Sequence, residues 1–174
     1  MSIKNQLKII SSLYSKGNFI EIINYVEQNG NQIENDWKIL TIIGLAFFNN
    51  NDFEKAIFYQ NKSIKKELTS HNLHNLGLIL GKKGDIQGAI NAFNKCLKIG
   101  IDQPVYYTNI IDFCLENNFI HNALKVSNDR ESLTPAAKDG TLRVLNAGIN
   151  AGVEHFVKTS SIVCMFRKPN RSNP

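Results

Sequence analysis

Ile43-Gly44-Leu45-Ala46-Phe47-Phe48-Asn49-Asn50-Asn51-Asp52-Phe53-Glu54-Lys55-Ala56-Ile57 is answered 33 positions later by Leu76-Gly77-Leu78-Ile79-Leu80-Gly81-Lys82-Lys83-Gly84-Asp85-Ile86-Gln87-Gly88-Ala89-Ile90. Each stretch opens with an apolar run, breaks at a polar turn in which Asn or Gly precedes Asp, and resumes with Ala on a packing face. Weaker copies flank the pair at Ser15-Lys16-Gly17-Asn18-Phe19-Ile20-Glu21-Ile22-Ile23 and at Glu116-Asn117-Asn118-Phe119-Ile120-His121-Asn122-Ala123-Leu124. The packing-face residue falls at Ile22, Ala56, Ala89 and Ala123, which gives spacings of 34, 33 and 34. A fixed period of this length is the mark of a repeat architecture.

Within each copy the apolar residues keep helical spacing. Leu40, Ile43 and Phe47 mark one first helix, and Leu73, Leu76 and Leu80 the next. Phe53, Ala56, Ile57 and Ile64 mark one second helix, and Ile86, Ala89, Ile90, Phe93 and Leu97 the next. Gly17, Asn51, Gly84 and Asn118 sit where a turn needs left-handed backbone, and Asp52 and Asp85 follow as N-caps. A single hairpin cannot bury its apolar face, so neighbouring hairpins must stack and share one core. The expected fold is all-α, a right-handed superhelical solenoid of helix–turn–helix units, with a short C-terminal helix and an extended tail.

Period and pattern together resemble the tetratricopeptide repeat over residues 3–130, in four units at 3–36, 37–69, 70–103 and 104–130. Gly44 and Gly77 match the family's close-contact position on the first helix, and Ala56 and Ala89 its small residue on the second. The outer units depart from it, with Ile10 and Ile111 in place of the Gly and Ile22 in place of the Ala. In such repeats the first helices line a concave surface. The resemblance places there Lys4, Leu7, Ser11 and Tyr14, then Lys38, Thr41, Leu45 and Phe48. His71, His74, Leu78 and Lys82 follow from the third unit, and Thr108, Asn109, Asp112 and Leu115 from the fourth. The peptide-binding candidates drawn from this set are Tyr14, Thr41, Leu45, Phe48, His74, Leu78, Lys82, Asn109 and Asp112. Some family members grip a terminal carboxylate with Lys and Asn, but Leu7, Ser11, Thr41 and Leu45 occupy those places here.

Composition shifts near residue 129. Residues 1–128 hold 20 Ile and 19 Asn, whereas residues 129–174 hold 2 and 4. The segment 131–174 contains Gly140-Thr141-Leu142-Arg143-Val144-Leu145, then Ala151-Gly152-Val153-Glu154-His155-Phe156-Val157-Lys158-Thr159-Ser160-Ser161. That order is similar to an internal piece of the extended short-chain dehydrogenase/reductases, the epimerase and dihydroflavonol-reductase type. The resemblance implies a helix followed by a central parallel strand, with Ser161 in the place of a catalytic Ser. No glycine-rich turn follows an N-terminal strand, and no Tyr-x-x-x-Lys follows Ser161. The expectation is therefore a truncated reductase-like fragment without activity: a cap helix at 135–150, then a loosely held Phe156–Phe166 and a basic end at Arg167–Arg171.

Composition narrows the function classes. The chain has 174 residues, 43% of them hydrophobic and 20% charged, which fits a folded domain. No apolar run is long enough to span a bilayer, and Met1–Lys16 has no continuous apolar core, so neither a membrane protein nor a secretory signal is expected. Cys96, Cys114 and Cys164 form no framework, which suits a reduced, cytoplasmic setting, and the first two read as small buried hydrophobes. The net charge of +5 splits into +2 over residues 1–128 and +3 over 129–174. The lysines at 62, 65, 66, 95 and 98 belong on outer helices, which argues against a converging phosphate-binding surface. His71 and His74 stand three apart, yet a metal site needs further ligands, so they read as polar groove residues. No cofactor or metal is expected. The sequence points to a non-catalytic scaffold that binds a protein or peptide, with a fragment or fusion piece of an enzyme as the alternative.

Overall fold

The helices start and stop for local reasons that the sequence pattern supplies. The computed structural model describes residues 2–30, 33, 36–101, 103–119, 122, 123, 126, 155–159 and 162–166. Seven helices are found among them: α1 (Ile3–Ser15), α2 (Phe19–Asn29), α3 (Trp37–Asn49), α4 (Phe53–Lys66), α5 (Ser70–Lys83), α6 (Ile86–Ile99) and α7 (Pro104–Glu116). The Asp36 carboxylate accepts from the amides of Lys38 (2.9 Å) and Ile39 (3.3 Å) at the start of α3. Asp52 accepts from the amide of Lys55 at 3.1 Å, and Asp85 from that of Gly88 at 2.9 Å. Thr69 and Asn72 form a reciprocal capping box at the start of α5. Each cap is worth about 1 kcal/mol.

Four turns close in the same way. Gly17, Asn51, Gly84 and Asn118 adopt φ of 73, 62, 94 and 62°. The residue after each donates its amide five positions back: Asn18 to Leu13, Asp52 to Phe47, Asp85 to Leu80 and Phe119 to Cys114, at 2.7–3.0 Å. This six-to-one bond with a left-handed residue is the Schellman ending of a helix. The donors recur at intervals of 34, 33 and 34, the period read from the sequence.

The chain divides into two compact units, Met1–Gly100 and Ile101–Pro174. In the first, α3 packs along α4 and α5 along α6, and α4 joins α5 across the repeat boundary. The small residues permit this closeness. A methyl on Gly44 would stand 3.0 Å from the Gln60 amide nitrogen and 3.2 Å from the Ala56 carbonyl, and a methyl on Gly77 would collide with the Phe93 ring. The core runs through the hairpins as one cluster that includes Ile10, Ile22, Ile39, Ile43, Phe47, Ala56 and Ile79. Ile10 and Ile22, which replace the small pair in the first unit, are fully buried, so bulk fills the space between α1 and α2.

In the second unit α7 buries Tyr106, Ile110, Ile111, Cys114 and Leu115, and Ala123 is also buried. Within the expected extended tail, β1 (His155–Thr159) pairs antiparallel with β2 (Ile162–Phe166), in register from His155 opposite Phe166 to Thr159 opposite Ile162. The reductase resemblance implies a parallel strand with neighbours on both edges. The β-branched and aromatic residues Ile162, Val163 and Phe166 supply a partner from the next few positions instead. Ser161, the 135–150 helix and the Arg167–Arg171 end lie outside the described residues.

Candidate functional site

Alternation of first and second helices sorts their side chains onto two sides of the first unit. First helices meet one another, α1 against α3 and more lightly α3 against α5, and the second helices α2 and α4 are bridged by Glu27 and Lys55 at 3.8 Å.

Residues three and four apart share a stripe on each of these helices. On α3 the stripe runs Lys38, Thr41, Leu45, Phe48, and on α5 His71, His74, Leu78, Lys82. Leu45 and Leu78 are half-buried at equivalent places, and Lys38 and Lys82 are exposed. The half-buried Phe48 ring stands 6.1 Å from Phe53. On α1, half-buried Tyr14 meets Phe19 edge-on at 5.5 Å, and burial raises its hydroxyl pKa above the usual value. Tyr14, Leu45, Phe48, Leu78 and Lys82 thus lie on the first helices of one unit. Asn109 and Asp112 are half-buried on α7, in the other unit.

Two of the expected groove residues are core residues. Thr41 is buried, with its hydroxyl 2.8 Å from that of Ser63. His74 is 3% exposed, its ring 6.1 Å from Phe93. Burial, opposed in part by the Asn75 side chain, lowers its pKa to about 4, so the imidazole is neutral near pH 7. Both are the fifth residue of their helices, where the second helix of the same hairpin covers them.

Beneath Thr41 lies a buried polar seam that apolar patterning does not announce. The Gln60 amide donates to the Thr41 carbonyl (3.2 Å), Ser63 donates to the Trp37 carbonyl (2.9 Å), and Asn72 donates to Ser63 (3.4 Å) and to the Glu67 carbonyl. Gln60 Oε1 is buried with no hydrogen-bond partner among the described residues. Aligning the two hairpins at an offset of 33 sets Gln60 against Phe93 and Ser63 against Cys96, which was the available signal.

Beside the groove stripe of α1, an open depression of about 480 Å³ is lined by Asn5, Lys8, Ile9, Ser12 and Leu13. No group of three or more His, Cys, Asp or Glu side chains able to hold a metal occurs among the described residues. His71 instead hydrogen-bonds Asn75 at 3.2 Å. No helix among these residues is long and apolar enough to cross a membrane.

Comparison with known proteins agrees with this architecture. The sequence model of the tetratricopeptide repeat matches residues 38–65 and 70–99. The fold is an all-α solenoid with tetratricopeptide repeats at those positions. Among solved structures, the chain is similar to the C-terminal part of a TPR repeat-containing protein from Cytophaga hutchinsonii, with a TM-score of 0.64 at 16% identity. The match covers 83% of this chain and 60% of the other, so the chain spans about three fifths of that protein's solved length. No curated protein matches the sequence significantly. Tetratricopeptide repeats are generally non-catalytic and suggest protein partners.

Proposed function

We propose that the chain is a non-catalytic interaction scaffold that holds an extended segment of another protein against α1, α3 and α5. One observation carries this reading. The first helices pack on each other and leave Leu45, Phe48 and Leu78 half-buried, with Lys38 and Lys82 exposed on the same helices. A floor that is apolar but partly open gains by being covered, at roughly 25 cal/mol per Å² of apolar surface removed from water. Extended segments suit such a floor, because alternate side chains point into it and the others remain free for polar contacts.

The test is selection of random twelve-residue peptides displayed on phage against the full-length protein. Selected peptides should lose at least tenfold in affinity for the double variant L45R/L78R, because a buried apolar contact is replaced by an unpaired charge. They should bind normally to F58E, which alters an exposed ring on α4. Circular dichroism melting of each variant separates loss of binding from loss of fold. Peptides indifferent to L45R/L78R and abolished by F58E would move the site to the opposite side of the stack.

A further inference from the structure

The acidic residues of the first unit are sorted by helix, whereas lysines stand on both sets, with Lys55, Lys62, Lys65 and Lys66 on α4 and Lys95 and Lys98 on α6. α1, α3 and α5 carry Lys4, Lys8, Lys38, Lys82 and Lys83 and contain no Asp or Glu. The described carboxylates of this unit stand at caps or on second helices. Asp36, Asp52 and Asp85 hold helix N-termini, Glu21 and Glu27 lie on α2, Glu54 lies on α4, and Glu67 closes it. Two lysines are paired with them, Lys55 with Glu27 and Asp52 at 3.8 and 3.7 Å and Lys83 with Glu54 at 2.6 Å. Lys4, Lys8, Lys38 and Lys82 are exposed and make no ion pair among the described residues, and Lys38 rests over the Trp37 ring at 5.5 Å. The proposed groove is therefore basic at its margins and apolar along its floor, although the first 128 residues are close to neutral overall.

Resting on the groove reading above, we infer that its occupant is an acidic protein segment with aliphatic residues between its carboxylates. Side-chain carboxylates of that segment meet Lys38 and Lys82, and its aliphatic residues cover Leu45 and Leu78. The two lysines stand at opposite ends of neighbouring parallel helices. Lys82 corresponds to position 49 of α3, eleven residues beyond Lys38, so the axial separation is about 16 Å. The lateral step between packed helices is about 10 Å. An extended chain covers the resulting span of about 19 Å in roughly six residues. The segment should thus present Asp or Glu about six positions apart with apolar residues between them. A free terminal carboxylate is not required. Nucleic acid is the lesser fit, because its recognition as a single strand relies on aromatic stacking, and the residues at equivalent places between the two lysines, Leu45 and Leu78, are aliphatic.

The peptides selected above decide the matter. Those sensitive to L45R/L78R should be enriched in Asp and Glu. A synthetic copy of one, amidated at its C-terminus, should bind K38E/K82E about tenfold more weakly and lose affinity between 0.05 and 0.3 M salt. Replacing its carboxylates with Gln should have a similar effect on wild-type binding. Groove-dependent peptides that are neutral or basic, or that ignore K38E/K82E, would overturn this inference and leave the groove reading standing. Failure to obtain any peptide sensitive to L45R/L78R would remove the groove reading, and this inference with it. A twelve-nucleotide single strand that binds as tightly as the peptides, is lost in K38E/K82E and is unchanged in L45R/L78R would overturn it in favour of phosphate recognition.

Discussion

The α3–α4 and α5–α6 hairpins share a backbone plan and fill its centre with different chemistry. Under Gly44 sits the Gln60 amide, whereas under Gly77, at the corresponding place, sits the Phe93 ring. One turn further on, the Ser63 hydroxyl donates to the Trp37 carbonyl at 2.9 Å, and the Cys96 thiol donates to the Ser70 carbonyl at 3.3 Å. These are the same bond in successive repeats, made once by oxygen and once by sulfur. Thr41 joins the polar set, and His74 lies against the aromatic one. The hairpin joint thus demands a small residue on the first helix and a weak donor on the second, and tolerates either an amide or a ring between them.

That contrast can be broken most sharply at its centre. Phe93→Ala should destabilise the protein by about 3–5 kcal/mol in urea unfolding, the range for an emptied aromatic core site. Gln60→Met should change it by less than about 1 kcal/mol, because the lost bond to Thr41 is offset by removal of a buried, unpartnered Oε1. A large loss from Gln60→Met would show that the polar seam is as sensitive to substitution as the aromatic joint.

Acid should separate the two hairpins next. The His74 pKa is depressed to about 4 in the folded state from 6.5. The unfolded chain therefore binds more protons between these values, and stability is full above pH 6.5 and falls as pH drops towards 4. The loss amounts to about 3 kcal/mol. His74→Leu should flatten this part of the stability–pH curve, and Thr41→Val, at the matching place in α3, should leave its slope alone.

The smallest effects lie at the glycines. Gly77→Ala drives a methyl into the buried Phe93 ring, so a loss of about 1–3 kcal/mol is expected. Gly44→Ala meets the end of the Gln60 side chain at 3.0 Å, and the helix-propensity gain of about 1 kcal/mol offsets much of the crowding. Thermal melts of both variants would sharpen the comparison, and equal losses would contradict it.

The turns explain why so much of the fold could be read from residues alone. Gly17, Asn51, Gly84 and Asn118 are punctuation with a direct backbone meaning, and Asp52 and Asp85 cap the helices that follow as their positions imply. The groove was less legible. A stripe at helical spacing says which residues share a face, but the depth of each depends on how far the second helix leans over it. Thr41 and His74 accordingly lie inside while Leu45 and Leu78 reach the surface. Gln60 and Asn72 were hidden for a related reason. Polar residues on a helix read as solvent-facing unless a neighbouring helix offers partners, and those partners are backbone carbonyls of α3 and α4.

Asn72 also bears on how the stack comes apart. Its side chain closes the cap with Thr69, reaches the Glu67 carbonyl at the end of α4, and touches Ser63 within α4. One amide therefore fastens the corner where the second repeat hands over to the third. In a chain of units that touch only their neighbours, cooperativity resides at such corners. With this one tied, heat or mechanical tension should release the two repeats together, and Asn72→Ala should let them melt one after the other.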